Sequence, residues 1–277
     1  MQPFDLLRSL RVSVEISWLR RSMRIALLVG AMPVTLPAHA AAVLPFVRLR
    51  SLHATALVVG SCAPDMAYLI GKYGAFLHTP QGIVFGCVPL GLFALVWAEA
   101  LLLPALRASL PSWGGLQWAR FAGSRGLPAG FLGWMWAALS IAIGAATHVM
   151  WDGFTHRGQW PASVLYANVM VDFTGESMSM PAFLQWASSF VGTAIVATWM
   201  LLHYRSLPRI AGGSTKDFAR IALPTIAAAG MGAILKLSTG SLWHTFWGAA
   251  SAAFLGLTAA CLVFLAPSRS RSVSASE

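Results

Sequence analysis

The sequence predicts an all-α fold, a polytopic helical membrane protein with five to seven apolar segments. Three observations carry this prediction. Hydrophobic residues make up 57% of the 277 positions and charged residues only 10%, whereas a soluble domain carries roughly a quarter charged residues. The apolar residues fall in runs long enough to cross a hydrocarbon layer of about 30 Å. The nineteen Lys and Arg behind the net charge of +10 sit in short linkers between those runs. That is the positive-inside distribution; it describes orientation, and no nucleic-acid partner follows from it.

Taken in order, residues 1–31 read as an N-terminal extension or a mis-assigned start, with Met32 as the initiator. A signal or anchor over residues 24–40 is the alternative. Arg20, Arg21 and Arg24 precede the apolar IALLVGAMPVTLPA, and Ala38-His39-Ala40 has the form of a cleavage site, but Pro33 and Pro37 interrupt the run. Residues 38–47 and 52–63 are two short apolar stretches separated by Arg48-Leu49-Arg50-Ser51. Each covers about 15–18 Å as helix, roughly half a bilayer. A short helical hairpin with its turn at 48–51 fits, and a full crossing by 52–70 is the other choice.

Four long apolar runs follow, at about 83–106, 128–150, 183–204 and 242–265. A fifth, at about 218–236, replaces large hydrophobes with Ala, Gly and Pro224, and small residues suit close helix packing in lipid. Linker 107–127 holds Arg107, Arg120 and Arg125, linker 205–217 holds Arg205, Arg209 and Lys216, and the tail holds Arg269 and Arg271. These belong on the cytoplasmic side. Loop 152–182 has Arg157 as its only basic residue against Asp152, Asp172 and Glu176, so it faces the other side. The expectation is a multi-pass protein of the bacterial inner membrane with a cytoplasmic C-terminus. Residues 32–266 form a single integral membrane domain, and 267–277, PSRSRSVSASE, form a disordered tail.

The polar residues cluster on one side. His148, Asp152 and His156 stand at i, i+4 and i+8 at the end of the run 128–150. On a helix such a spacing projects from nearly one face, and neutral imidazole with carboxylate suits zinc and related divalent ions. The other reading is a helix end where Asp152 and His156 meet water, and Gly153 threatens to break the helix before His156 aligns. Asp65, after Pro64, and His78 fall on the same side by the charge count, and His39 joins them in the hairpin arrangement. Alone, Pro64-Asp65 is a turn and His78-Thr79-Pro80 a helix cap. His53, His203 and His244 sit near span ends, where a ring is comfortable without a ligand. Glu99, inside the run 83–106, reads as paired with a basic residue such as Arg107. Cys62, Cys87 and Cys261 lie in apolar segments with no C-x-x-C spacing and read as small hydrophobes. Trp134, Trp136, Trp151 and Trp160 read as lipid-interface anchors. No phosphate-binding loop, nucleophilic-serine elbow or dinucleotide fingerprint is present.

Four segments carry a resemblance: Met32 to Pro45, Val59-Gly60-Ser61-Cys62-Ala63-Pro64-Asp65, His148 to His156, and Leu184-Gln185-Trp186-Ala187-Ser188-Ser189-Phe190-Val191-Gly192. In this order the chain resembles, over about residues 32–265, the bacterial membrane-protein family filed as domain of unknown function 4184. More distantly, the succession His, Pro-Asp, His, H-x3-D resembles inner-membrane-bound metal-dependent hydrolases of the zinc-dependent phospholipase C type. That resemblance implies His39, Asp65, His78, His148 and Asp152 as ligands. It departs from the pattern at His78, which Thr79 follows where the hydrolases have Ser, and residues 1–31 have no counterpart.

The functional expectation is a metal-dependent hydrolase of an ester or phosphoester, with a lipid as the natural substrate at that depth. Asp65 and Asp152 would serve as ligand or base. The metal set is His39, Asp65, His78, His148, Asp152 and His156, with room for two or more divalent ions, zinc by preference. The rival is a non-enzymatic transporter or assembly factor in which the same residues bind an ion or carry protons; no internal repeat supports it.

Overall fold

Apolar helices dominate the computed structural model, which describes residues 36–70, 74–122, 126–173, 176–207, 209 and 211–266. Residues 1–31 and the tail 267–277, with the start-site and signal readings attached to the former, lie outside the described residues. Among the described residues, five helices are long and apolar enough to cross a membrane, so the chain is a multi-pass membrane protein.

The chain enters through α1 (Leu36–Val43), turns over residues 44–53, and returns through α2 (Ala54–Cys62). The two arms form a helical hairpin, and the second continues through the following 3-10 turns as one apolar helix, Ala54–Leu69, shorter than the spans. His53 caps α2 by accepting the Ala56 N–H at 3.3 Å and reaches the Gly126 carbonyl with Nε2 at 3.0 Å. A 3-10 helix (Ala63–Ile70) carries the chain away from α2, and a second (Ala75–His78) precedes the first span.

The spans are α3 (Pro80–Ser109), α4 (Gly130–Thr155), α5 (Met180–His203), α6 (Thr215–Leu237) and α7 (Leu242–Leu265). They coincide with the five apolar runs of the sequence. α3 is interrupted by two π-helical turns, Ile83–Cys87 and Ala98–Leu102. The second carries Glu99, whose Oε1 accepts a 2.6 Å hydrogen bond from Thr55 while Oε2 is buried without a hydrogen-bond partner. The expected pairing with Arg107 is not formed: Arg107 instead donates Nε to the Ala122 carbonyl at 2.7 Å. Two short antiparallel hairpins went unread in the sequence, β1 (Ser112–Trp113) with β2 (Leu116–Gln117) and β3 (Met170–Phe173) with β4 (Glu176–Ser179). Large apolar side chains such as Phe131, Leu202 and Val263 point outward, as a lipid-facing surface requires.

Close backbone approach holds the hairpin against α4. A Cβ on Gly60 would come within 2.3 Å of the Ile141 carbonyl oxygen, and one on Gly144 within 2.3 Å of the Leu57 carbonyl oxygen. The two glycines therefore let α2 and α4 cross with backbones touching, which side chains would forbid. Leu57, Ile141 and Ala145 are fully buried around this crossing. On the other side of the hairpin, Gly192 of α5 lies against Ala38 of α1, where a Cβ would meet the Ala38 carbonyl at 2.9 Å. α6 and α7 pack mainly on each other, with Gly232 against Gly248. α7 touches the rest through Ser251, which donates to the Leu69 carbonyl, Trp247, stacked on Tyr68 at 4.8 Å, and Thr258, which accepts from Trp97 of α3 at 3.1 Å.

The basic residues gather at the end away from His148. There Arg48 bonds His203, Arg120 donates to the carbonyls of Arg205 and Leu207, and Tyr204 lies under the Arg120 guanidinium at 4.3 Å. His53 and His203 thus have structural partners, and no disulfide joins the cysteines among the described residues.

Candidate metal centre

Four elements deliver one side chain or pair each to a single buried point. The hairpin brings His39 at its entry and Asp65 just past its exit, the second 3-10 helix ends in His78, and α4 supplies His148 and Asp152 on successive turns. His39, Asp65, His148 and Asp152 are 4%, 7%, 0% and 8% exposed. So much buried charge and imidazole in an apolar bundle is expensive unless compensated.

Nitrogen and oxygen alternate around the point. His148 Nε2 lies 3.2 Å from Asp152 Oδ2 and 3.7 Å from Asp65 Oδ1, and His78 Nε2 lies 3.4 Å and 3.5 Å from the same two oxygens. Neighbouring ligands of a tetrahedral ion bonded at about 2.0–2.2 Å stand about 3.3–3.6 Å apart. Two sets of three residues have ligand atoms mutually within 4.8 Å: His78, His148 and Asp152, and His39, Asp65 and His148.

Backbone carbonyls orient the rings. His148 Nδ1 donates to the Ser61 carbonyl at 2.7 Å, and His78 Nδ1 donates to the Gly74 carbonyl at 2.9 Å. A carbonyl only accepts, so both rings carry their proton on Nδ1 and turn Nε2 inward, the orientation that metal-ligating histidines adopt. His39 stacks on His148 with ring centroids 3.9 Å apart. His148 Nε2, Asp152 Oδ1 and His39 Nδ1 are buried and have no hydrogen-bond partner. Buried orphans of this kind are rare in folded proteins, and three in one cluster fit a site whose remaining partner is a cation.

The charges follow from burial and contact. Burial and the neighbouring His148 ring push the His39 imidazole down to about 4, so it is neutral at physiological pH. Burial also opposes charge on His78, but the Asp152 and Asp65 carboxylates outweigh it and lift that imidazole to about 10. Without an ion, His78 carries the positive charge that the two carboxylates demand.

His156 stands apart from both three-residue sets. α4 ends at Thr155, and His156 is its cap with extended backbone (φ −110°, ψ 131°), so the i+8 alignment read from the sequence does not form. The ring still reaches back: Nδ1 is 3.5 Å from Asp152 Oδ1, Nε2 is 3.3 Å from the Gln185 amide on α5, and 40% of the side chain is exposed. Gly153 breaks nothing; a Cβ there would meet the Trp160 carbonyl at 2.5 Å, so it admits the loop against the helix. The site residues missed in the sequence are the Ser61 and Gly74 carbonyls and Gln185. Ser61 and Gln185 lie inside the segments that carry the resemblance, the only signal that singled them out.

A family described as Domain of unknown function (DUF4184) matches residues 32–266. No curated protein and no solved structure matches the chain.

Proposed function

The chain belongs to that family, whose description carries no activity, and from the geometry of its site we propose that it is a membrane-embedded metal-dependent hydrolase of an ester or phosphoester. One observation carries the reading. Two inward-facing histidine nitrogens alternate with two carboxylate oxygens at 3.2–3.7 Å in an otherwise apolar bundle.

His78, His148 and Asp152 hold a divalent ion, for which nitrogen and carboxylate donors favour zinc. Such an ion supplies a Lewis acid and lowers the pKa of a nearby water toward neutrality. The Ser61 and Gly74 carbonyls keep the two Nε2 atoms aimed at the reacting point. Asp65 Oδ1, facing the same two nitrogens, accepts the proton of the attacking water. Water then contributes hydroxide to the acyl or phosphoryl group and a proton to the departing alcohol, so one ester bond is exchanged for an acid and an alcohol. The helices around the site exclude bulk water and present it at the mouth of a span, which favours an amphiphilic or lipid substrate. On the positive-inside count the site faces the outer side of the bacterial inner membrane and the C-terminus is cytoplasmic.

Purified protein from metal-replete medium should contain bound metal, lost in His148→Ala and Asp152→Ala, and should hydrolyse generic phosphodiesters or lipid esters. A metal-free wild type would refute the reading. Bound metal without any hydrolysis would turn it toward an ion-binding transporter or assembly factor.

A further inference from the structure

The loop between α4 and α5 turns apolar side chains outward although it is not a span. Its helical turn, Ala162–Leu165, buries Pro161 and Ala162 against the end of α4 and presents Val164 and Leu165 on the other face. Trp160, Val164 and Leu165 are 77%, 74% and 62% exposed, and Met170 on β3 is exposed with them. Residues 157–173 hold one basic side chain, Arg157, and one acidic, Asp172. Contiguous apolar surface of this kind marks a contact with a protein or a membrane.

The loop is tied to the ends of both spans, and this says what covers it. The Tyr166 hydroxyl donates to the Phe154 carbonyl on the last turn of α4, Gly153 admits the Trp160 carbonyl, and Phe173 packs on Phe183 of α5 at 5.6 Å. Phe154 and, one turn earlier, Met150 are themselves exposed and belong to the lipid-facing surface of α4. The helical turn stands beside that surface and extends it, so the lipid that covers the one covers the other. Height along the span adds a second argument. Asp152 lies three residues before the end of α4, about 4.5 Å along the axis, so the loop borders the metal centre at nearly the same level. Apolar elements at a membrane surface sit about 5–10 Å into the boundary between headgroups and acyl chains, where the ester and phosphoester bonds of a bilayer lipid lie.

We propose that residues 157–173 form a membrane-seated ledge in the leaflet on the side of the metal centre, and that substrate reaches the centre laterally, as a lipid of that leaflet. The seating stands on the apolar surface alone, whereas the lateral delivery rests on the hydrolase reading.

Full-length protein in lipid nanodiscs, carrying a nitroxide on Val164→Cys and with unsubstituted protein as the labelling background, tests the seating. The label should be relaxed more by oxygen, which partitions into lipid, than by an aqueous nickel chelate. Preferential access of the chelate overturns the proposal, and so does shielding from both reagents, the result that a second copy docked there would give. Leu165→Cys provides the same measurement if the first variant fails to fold. For the delivery, Val164→Ser combined with Leu165→Ser should lower hydrolysis of phospholipid in vesicles severalfold relative to that of a water-soluble short-chain phosphodiester. An unchanged ratio overturns lateral delivery. Failure of wild type to hydrolyse either substrate refutes the hydrolase reading, and the nitroxide measurement then still decides the ledge.

Discussion

Placing a methyl group at Gly144 should loosen the metal site without touching any ligand. An alanine Cβ there would stand 2.3 Å from the Leu57 carbonyl oxygen and 2.7 Å from the Ser61 amide nitrogen, both backbone atoms that cannot rotate away. Restoring ordinary contact at about 3.4 Å requires α2 and α4 to separate by roughly 1.1 Å, an overpacking that costs about 1–3 kcal/mol. The same shift stretches the 2.7 Å bond between His148 Nδ1 and the Ser61 carbonyl to about 3.8 Å, beyond hydrogen-bonding reach. Loss of an orienting partner of this kind weakens metal binding by about 10–100-fold. Competition against a chromophoric chelator measures the affinity, and thermal unfolding in detergent measures the stability. Gly230→Ala is the control, because a Cβ at Gly230 meets nothing within 4 Å. If Gly144→Ala binds metal as tightly as wild type, the helix crossing does not position His148 and the reasoning fails.

Metal binding near pH 7.5 should release a proton from His78, whose imidazole stands at about 10 without an ion. Its sign is that of competition: apparent affinity falls as pH falls, by about tenfold per unit for each proton displaced, and calorimetry in buffers of different ionisation enthalpy reads the proton count. Thr55→Val removes the donor to Glu99 Oε1 and leaves a buried carboxylate with no hydrogen bond at either oxygen, a loss of about 1–3 kcal/mol. Unfolding temperature should drop while chelator competition is unchanged.

Those elements that obey a local rule were legible in the sequence. Five apolar runs gave five spans, and the short stretches around Arg48 gave the hairpin, because length against bilayer thickness is a local quantity. His148 and Asp152, one helical turn apart, were legible for the same reason. Ligands from three further elements, His39, Asp65 and His78, could be assigned only to a side of the membrane, since their convergence depends on the Gly60 and Gly144 crossing. Glycine at those positions reads as weak helix until the partner backbone is known. His156 shows the limit of periodicity: the residue is placed by a helix cap, and its extended backbone redirects a ring that i+8 spacing would have stacked over Asp152. The β-hairpins at 112–117 and 170–179 have strands of two to four residues, too short to show alternation.

α1 makes its broadest packing with α5, where Gly192 closes on Ala38, more than 150 residues later in the chain. His39 thus leaves the ribosome before α5, whose surface seats its helix. α1 is too short to span a bilayer by itself, and although it also packs on α2 and α4, its broadest seat forms only when α5 has arrived. Assembly of the centre is then a late, post-insertion event, and a chain halted before α5 would hold His148 and Asp152 in place while lacking the wall that carries His39.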